Sequence, residues 1–121
     1  TAHVFNATLD PDYPATLSKP NITDLLRGEL GYDGVVITDD MQMGAIREQY
    51  GFETAIQKTI EAGVDIIAIA NNLVYEEDVV ARTVALIKNL VAAGTLSLER
   101  IEQSYARIQR LKSRLSTAPG A

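Results

Sequence analysis

Val35-Val36-Ile37-Thr38-Asp39-Asp40 is the stretch on which the reading of this chain turns. Val35 to Thr38 is β-branched with almost no polar alternation, the pattern of a parallel strand buried on both faces. It stops abruptly at two aspartates. A second run, Val64-Asp65-Ile66-Ile67-Ala68-Ile69, follows the same plan and stops at Asn71-Asn72.

Around these runs lie amphipathic stretches. Upstream, Ser18-Lys19-Pro20 reads as a helix start, with Ser18 as N-cap and proline in the first turn. Ile22, Leu25, Leu26 and Leu30 share a helical face, and Gly31 suits the C-cap. A further helix is expected near Met41 to Glu48. Phe52, Ala55, Ile56, Thr59 and Ile60 mark another, closing near Gly63. Glu76 and Glu77 open a long helix ending at Gly94, with Val79, Val80, Val84, Ile87, Leu90 and Val91 on its inner face. Ser97 caps the last, whose apolar face is Leu98, Ile101, Tyr105, Ile108, Leu111 and Leu115. Ala2 to Phe5 is a possible third strand, followed by a Pro-containing loop from Asn6 to Leu17. Thr117 to Ala121 reads as a frayed tail.

Strand alternating with helix predicts an α/β fold with a parallel sheet. So few strands leave open edges and a poorly covered core. A complete (β/α)8 barrel takes about 250 residues, and the chain has 121. The expectation is therefore an incomplete barrel: the last three βα units of a TIM-like (β/α)8 fold, forming one partial domain over residues 1–121. A start inside a strand hints at a chain cut from something longer. Exposed strand edges further predict that the chain self-associates into a dimer or larger.

Composition narrows the partners. Hydrophobic residues make up 46% and charged residues 22%, ordinary globular usage. Sixteen acidic residues against 11 basic ones give a net charge of -5. No basic stripe interleaves with aromatics, so no nucleic-acid partner is expected. The longest apolar run, Ile66 to Ala70, is too short to span a bilayer, so no membrane partner is expected. There is no cysteine, which excludes disulfides, thiolate catalysis and Cys-based zinc sites and leaves the redox compartment open. One histidine and no Gly-rich phosphate loop argue against a multi-histidine zinc site or a nucleotide. No cofactor and no metal are expected.

Ligands of parallel α/β folds sit at the carboxyl ends of the strands, where Asp39 and Asp40 fall. A carboxylate there can bind a metal or sugar hydroxyls, attack an electrophilic carbon, or cap the next helix. Asp40 is the better capping candidate of the two. His3 can serve as proton donor or ligand, or can satisfy a backbone carbonyl near a strand end. Met41 and Met43 suit core or wall positions. Asn71-Asn72 suits substrate contact or a turn. Asp10 and Asp12 read as solvated loop residues, and Glu76 and Glu77 as helix-terminal charges.

Pro14-Ala15-Thr16-Leu17-Ser18, the continuous stretch from Leu25 to Ile46 (Leu-Leu-Arg-Gly-Glu-Leu-Gly-Tyr-Asp-Gly-Val-Val-Ile-Thr-Asp-Asp-Met-Gln-Met-Gly-Ala-Ile), Thr1-Ala2-His3-Val4 and Ala62-Gly63-Val64-Asp65 together resemble the end of the N-terminal barrel domain of glycoside hydrolase family 3. The resemblance runs from the first residue to about residue 70, and the later helices are compatible with it. It implies a carbohydrate substrate and hydrolysis with retention. Asp39, the first aspartate after the threonine, is the implied nucleophile, forming a covalent glycosyl-enzyme that water releases. The form Asp39-Asp40-x-x-Met43 resembles the bacterial β-N-acetylhexosaminidase branch, implying terminal N-acetylglucosamine as the sugar. β-Glucosidase-like members often have Trp at the Asp40 position. In the hexosaminidase branch the acid/base is a histidine in a Lys-His-Phe-Pro-Gly-His-Gly type loop. His3 does not match that loop, so the resemblance implies half of a catalytic pair and an inactive isolated chain.

Two alternatives stand beside this. Val-Val-Ile-Thr-Asp-Asp-Met superficially resembles the phosphoacceptor strand of a receiver-like domain, though the acidic pair and late lysine of that class are lacking. The other is a non-catalytic assembly module that pairs through its edges.

Overall fold

Both β-branched runs form strands, the first displaced and the second shortened within its run. The computed structural model describes residues 1–72 and 75–116, so the tail expected at 117–121 lies outside the described residues. Strand β1 is Ile37–Asp40 and β2 is Ile66–Ala68, paired in parallel. The expected strand at 35–38 is thus corrected by two residues, and both aspartates lie inside β1 rather than after it. Side chains explain the shift. Gly34 C=O accepts from Arg27 Nη1 at 3.0 Å and Val35 C=O from the Tyr32 hydroxyl at 3.0 Å, while Val36 N–H donates to Asp65 Oδ2 at 3.0 Å. The first residues of the run therefore spend backbone groups on side chains, and the ladder opens only with Val36 C=O, which accepts from Ile66 N–H at 3.1 Å. At the other end Met41 N–H donates to Ala68 C=O at 3.0 Å, carrying the pairing past the aspartates.

The possible third strand does not form. Residues 1–5 instead lie along the outer edge of β1, where the Thr1 nitrogen donates to Ile37 C=O at 2.6 Å. Register Ile37↔Ile66 then Asp40↔Ala68 leaves an extra residue in β1, a bulge at Thr38-Asp39.

After a 3-10 turn at Ala15–Leu17, a π-wound helix spans Pro20–Glu29. Ser18 Oγ accepts from Asn21 N–H at 3.2 Å, as expected of the cap, and Gly31 takes a left-handed φ of 69° after the helix. Then follow α1 (Gly44–Tyr50), α2 (Phe52–Ala62), α3 (Val79–Ala92) and α4 (Leu98–Ser116). Ser97 Oγ accepts from Arg100 N–H at 3.1 Å at the start of α4. The helix expected near Met41 begins only at Gly44, because Met41 and Gln42 belong to the turn that leaves β1. Nor do Glu76 and Glu77 open α3. Glu76 N–H and C=O are both engaged by the Asn71 side chain, at 2.8 and 3.0 Å, which holds that segment as a turn.

The core sits between sheet and helices. Leu17, Met41, Ile46, Ala55, Ile56, Ile60 and Leu96 form one buried cluster, and Ile22, Val36, Ala62 and Val64 a second. Met41 is buried, as read, whereas Met43 is exposed. Val80 and Val84 of α3 face outward, contrary to the inner face read for them, as do Leu98, Tyr105, Leu111 and Leu115 of α4.

At the amino ends of the strands, one aspartate ties the elements together. The Asp65 side chain is 0% exposed. Its Oδ2 accepts from Arg27 Nη2 at 2.7 Å, and its Oδ1 from Ser104 Oγ at 2.7 Å and Arg107 Nη1 at 3.3 Å. Arg100 lies 3.8 Å away and donates to Ile60 C=O at 3.0 Å and Val64 C=O at 2.7 Å. Burial pulls the Arg100 guanidinium below its usual range; Asp65 opposes this, and the Arg107 and Arg27 charges add to it.

Candidate active site

The carboxyl end of β1 presents its two aspartates unequally. Asp39 is exposed, and its Oδ1 accepts from Asp40 N–H at 2.8 Å. Asp40 is tied on several sides. Its Oδ1 accepts from Gln42 N–H at 3.1 Å and from Ala70 N–H, just past β2, at 3.0 Å. Its carbonyl faces His3 Nε2 at 2.8 Å. Neither aspartate caps α1, whose N-cap position is Met43; the capping alternative is corrected on that point. Asp40 makes an Asx turn instead and stitches the two strand ends together. Behind the bulge, buried Thr38 uses Oγ1 to accept Ala68 N–H at 2.8 Å, replacing a missing ladder bond.

His3 takes the backbone-satisfying role. A carbonyl only accepts, so Nε2 bears the hydrogen toward Asp40. Nδ1 lies 3.0 Å from Thr16 Oγ1, which lies 2.9 Å from Thr1 Oγ1. Both ring nitrogens are engaged within the fold, so His3 is not presented to a substrate as proton donor.

The other candidates divide. Asn71 has a left-handed φ of 54° and builds the turn that holds Glu76, while Asn72 is exposed. Asp10 is not solvated as expected: it is 4% exposed. Burial pushes its carboxyl upward, but the bonds from the Ser18 hydroxyl and from the Asp12 and Tyr13 N–H groups outweigh this and leave it below the usual range. Asp12 is exposed. Glu76 pairs with Arg82 at 2.7 Å and Arg47 at 3.6 Å instead of facing a helix dipole. Sequence reading missed Asp65 and Thr16 as organising residues. The one available signal for Asp65 was a charge set inside an apolar run, which demands a buried partner.

Among the described residues, several clefts form away from Asp39. One of about 310 Å3 is lined by Tyr32, Asp33, Ile37, Ile66, Arg107 and Arg110, among others, at the amino ends of the strands. There Asp33 is held below the usual carboxylate range by bonds from Arg107 and Arg110. Asp39 stands on open surface instead. Among the described residues, no group of three His, Cys, Asp or Glu side chains could hold a metal ion, and no helix is long and apolar enough to cross a membrane.

Residues 1–111 match the model of the glycosyl hydrolase family 3 N-terminal domain. An uncharacterized secreted glycosyl hydrolase of Arthroderma benhamiae is 42% identical over 90% of this chain and 30% of its own length. Beta-hexosaminidase A of Pseudoalteromonas piscicida is 37% identical over 84% of this chain and 17% of its own. A solved family 3 beta-N-acetylglucosaminidase from a Paenibacillus species superposes with a TM-score of 0.88 at 39% identity, covering 100% of this chain and 22% of that one. The chain thus spans less than a third of the length of these relatives. The family match overturns the receiver-like alternative.

Proposed function

The chain belongs to the family of glycosyl hydrolase family 3 N-terminal domains, and on that premise we propose that it is the nucleophile-bearing part of a retaining glycoside hydrolase, with Asp39 as nucleophile. The observation that carries this is an exposed carboxylate at the carboxyl end of a parallel strand, steadied by one N–H from a neighbour that is itself tied down. Asp39 would attack the anomeric carbon as the glycosidic C–O bond breaks. The leaving oxygen takes a proton from an acid supplied outside these residues, and water then hydrolyses the glycosyl ester with retention. Retaining pairs sit about 5–5.5 Å apart. Asp40, committed to two backbone N–H groups, and His3, bound at both nitrogens, are poor candidates for that acid.

The names of the β-hexosaminidase relatives favour a terminal β-linked N-acetylamino sugar as substrate. The order of residues 1–5, β1 and β2, side by side, suits a one-domain arc of a (β/α)8 barrel. On this reading the 121-residue chain alone is inactive. Turnover of a nitrophenyl β-N-acetylglucosaminide should appear with the complete hydrolase and be missing from the purified chain; Asp39-dependent turnover by the chain would refute that. Exposed Val4, Phe5 and Ile37 on and beside the sheet also favour self-association of the isolated chain. Light scattering after size exclusion at micromolar concentration should give a dimer or larger, and a clean monomer would count against it.

A further inference from the structure

We propose that His3 is a positioning residue for Asp39, acting through the backbone of Asp40; this rests on Asp39 being the nucleophile. The bulge leaves the Thr38–Asp40 segment short of ladder bonds, since Ala68 N–H turns to Thr38 Oγ1. Its geometry is therefore set by what holds Asp40. The Asp40 N–H orients the Asp39 carboxylate. The Asp40 carboxylate is anchored by Gln42 and Ala70 on the β2 side. From the opposite edge, His3 Nε2 grips the Asp40 carbonyl at 2.8 Å. That carbonyl belongs to the Asp40–Met41 peptide, held on its other side by Met41 N–H to Ala68 C=O at 3.0 Å; removing the His3 grip frees one side of the residue whose N–H, one peptide earlier, aims the nucleophile.

The imidazole is held for this task. Nε2 must carry the hydrogen, so in the neutral ring Nδ1 accepts, and the Thr16 hydroxyl is its donor at 3.0 Å. Thr16 Oγ1 then accepts from Thr1 Oγ1 at 2.9 Å. Thr16 is 0% exposed on the 3-10 turn, so the ring is held from a buried point while the Asp40 carbonyl sets its tautomer. The relay runs Thr1, Thr16, His3, Asp40, with Asp39 at its end. A hydrophobic or purely space-filling residue at position 3 would leave the Asp40 carbonyl without its side-chain donor and Thr16 with its bond to Thr1 alone.

Two conservative variants separate this role from a structural one. Glutamine places its amide nitrogen at the reach of Nε2 and can still donate to the Asp40 carbonyl. Asparagine places its carbonyl oxygen at the reach of Nδ1 and keeps only the Thr16 bond. In the complete hydrolase carrying this chain, H3N should lower kcat about 10- to 100-fold with KM nearly unchanged, as displacement of a reacting group does, and H3Q should recover most of it. Equal loss in both variants, or a fall confined to melting temperature, would overturn the role. The chain has one histidine, so nitrogen NMR of its ring is unambiguous. The Nε2–H tautomer is expected, and it should persist in Thr16→Val because the Asp40 carbonyl still selects it; a dominant Nδ1–H tautomer in the unaltered protein contradicts the relay even if variants fail to fold. D39N keeps the two claims apart. Retained turnover in D39N sinks the nucleophile, whereas a dead D39N beside a fully active H3N sinks only the positioning role.

Discussion

Asp65 and Asp39 lie at opposite ends of the same two-stranded sheet and are treated in opposite ways. Asp65, at the amino ends, is sealed from solvent and binds Arg27, Arg107, Ser104 and the Val36 N–H, with Arg100 close by. Asp39, at the carboxyl end, is open and takes one N–H from its own neighbour. With Asp39 as the proposed nucleophile, the difference places stability and chemistry at opposite ends of the sheet. One end of a parallel sheet is committed to holding strands, the π-wound helix and α4 together. The other end leaves a carboxylate available, with its orientation enforced indirectly through Asp40. This is the division expected of βα barrels, in which bottom-face residues serve stability and top-face residues serve reaction.

The comparison can be broken by exchanging the roles in experiment. The largest effect is expected at the open end. Asp39→Asn in the complete hydrolase should cut kcat on the order of 10⁴-fold or more, as removal of a covalent nucleophile does, while thermal melting stays unchanged. A melting temperature that falls with activity would mean that Asp39 also holds the fold. At the sealed end the signs reverse. Asp65→Asn should destabilise by about 3–5 kcal/mol in denaturant titration, because it strands buried guanidinium groups. If stability stays within experimental error, the network is ornament rather than anchor.

A smaller effect sharpens the contrast through pH. Asp10 has its carboxyl held below the usual range in the fold. It binds fewer protons folded than unfolded, so its stabilisation is present above the ordinary carboxylate pKa and is lost as pH falls through the lower folded value. Asp10→Asn should therefore flatten the acid limb of the stability curve without altering its shape near neutrality. An unchanged acid limb would show that Asp10 gains nothing from its bonds.

Much of this was legible in the chain, and the misses share a cause. The β-branched runs, the caps at Ser18 and Ser97 and the core helix Phe52–Ala62 follow from local pattern. The two-residue shift of β1 does not, because Tyr32, Arg27 and Asp65 reach its backbone from elsewhere. The late start of α3 has the same origin, Asn71 capturing Glu76 across a turn. Val80 and Val84 point outward because periodicity identifies an apolar face without saying how wide a neighbour covers it. At the site, the strand-end position of Asp39 and the backbone-bound option for His3 could be read directly. The buried state of Asp10 and the Thr16 relay could not, since both depend on loops folding back on the strand.

The most direct test is to trap the intermediate. The complete hydrolase would be treated with a fluorinated β-N-acetylglucosaminide that slows deglycosylation, then digested and sequenced by mass spectrometry. A glycosyl ester on Asp39, absent from Asp39→Asn and present in Asp40→Asn, is the expected result. An ester on another residue, or steady turnover with no covalent adduct and an inverted product, would contradict the role assigned to Asp39.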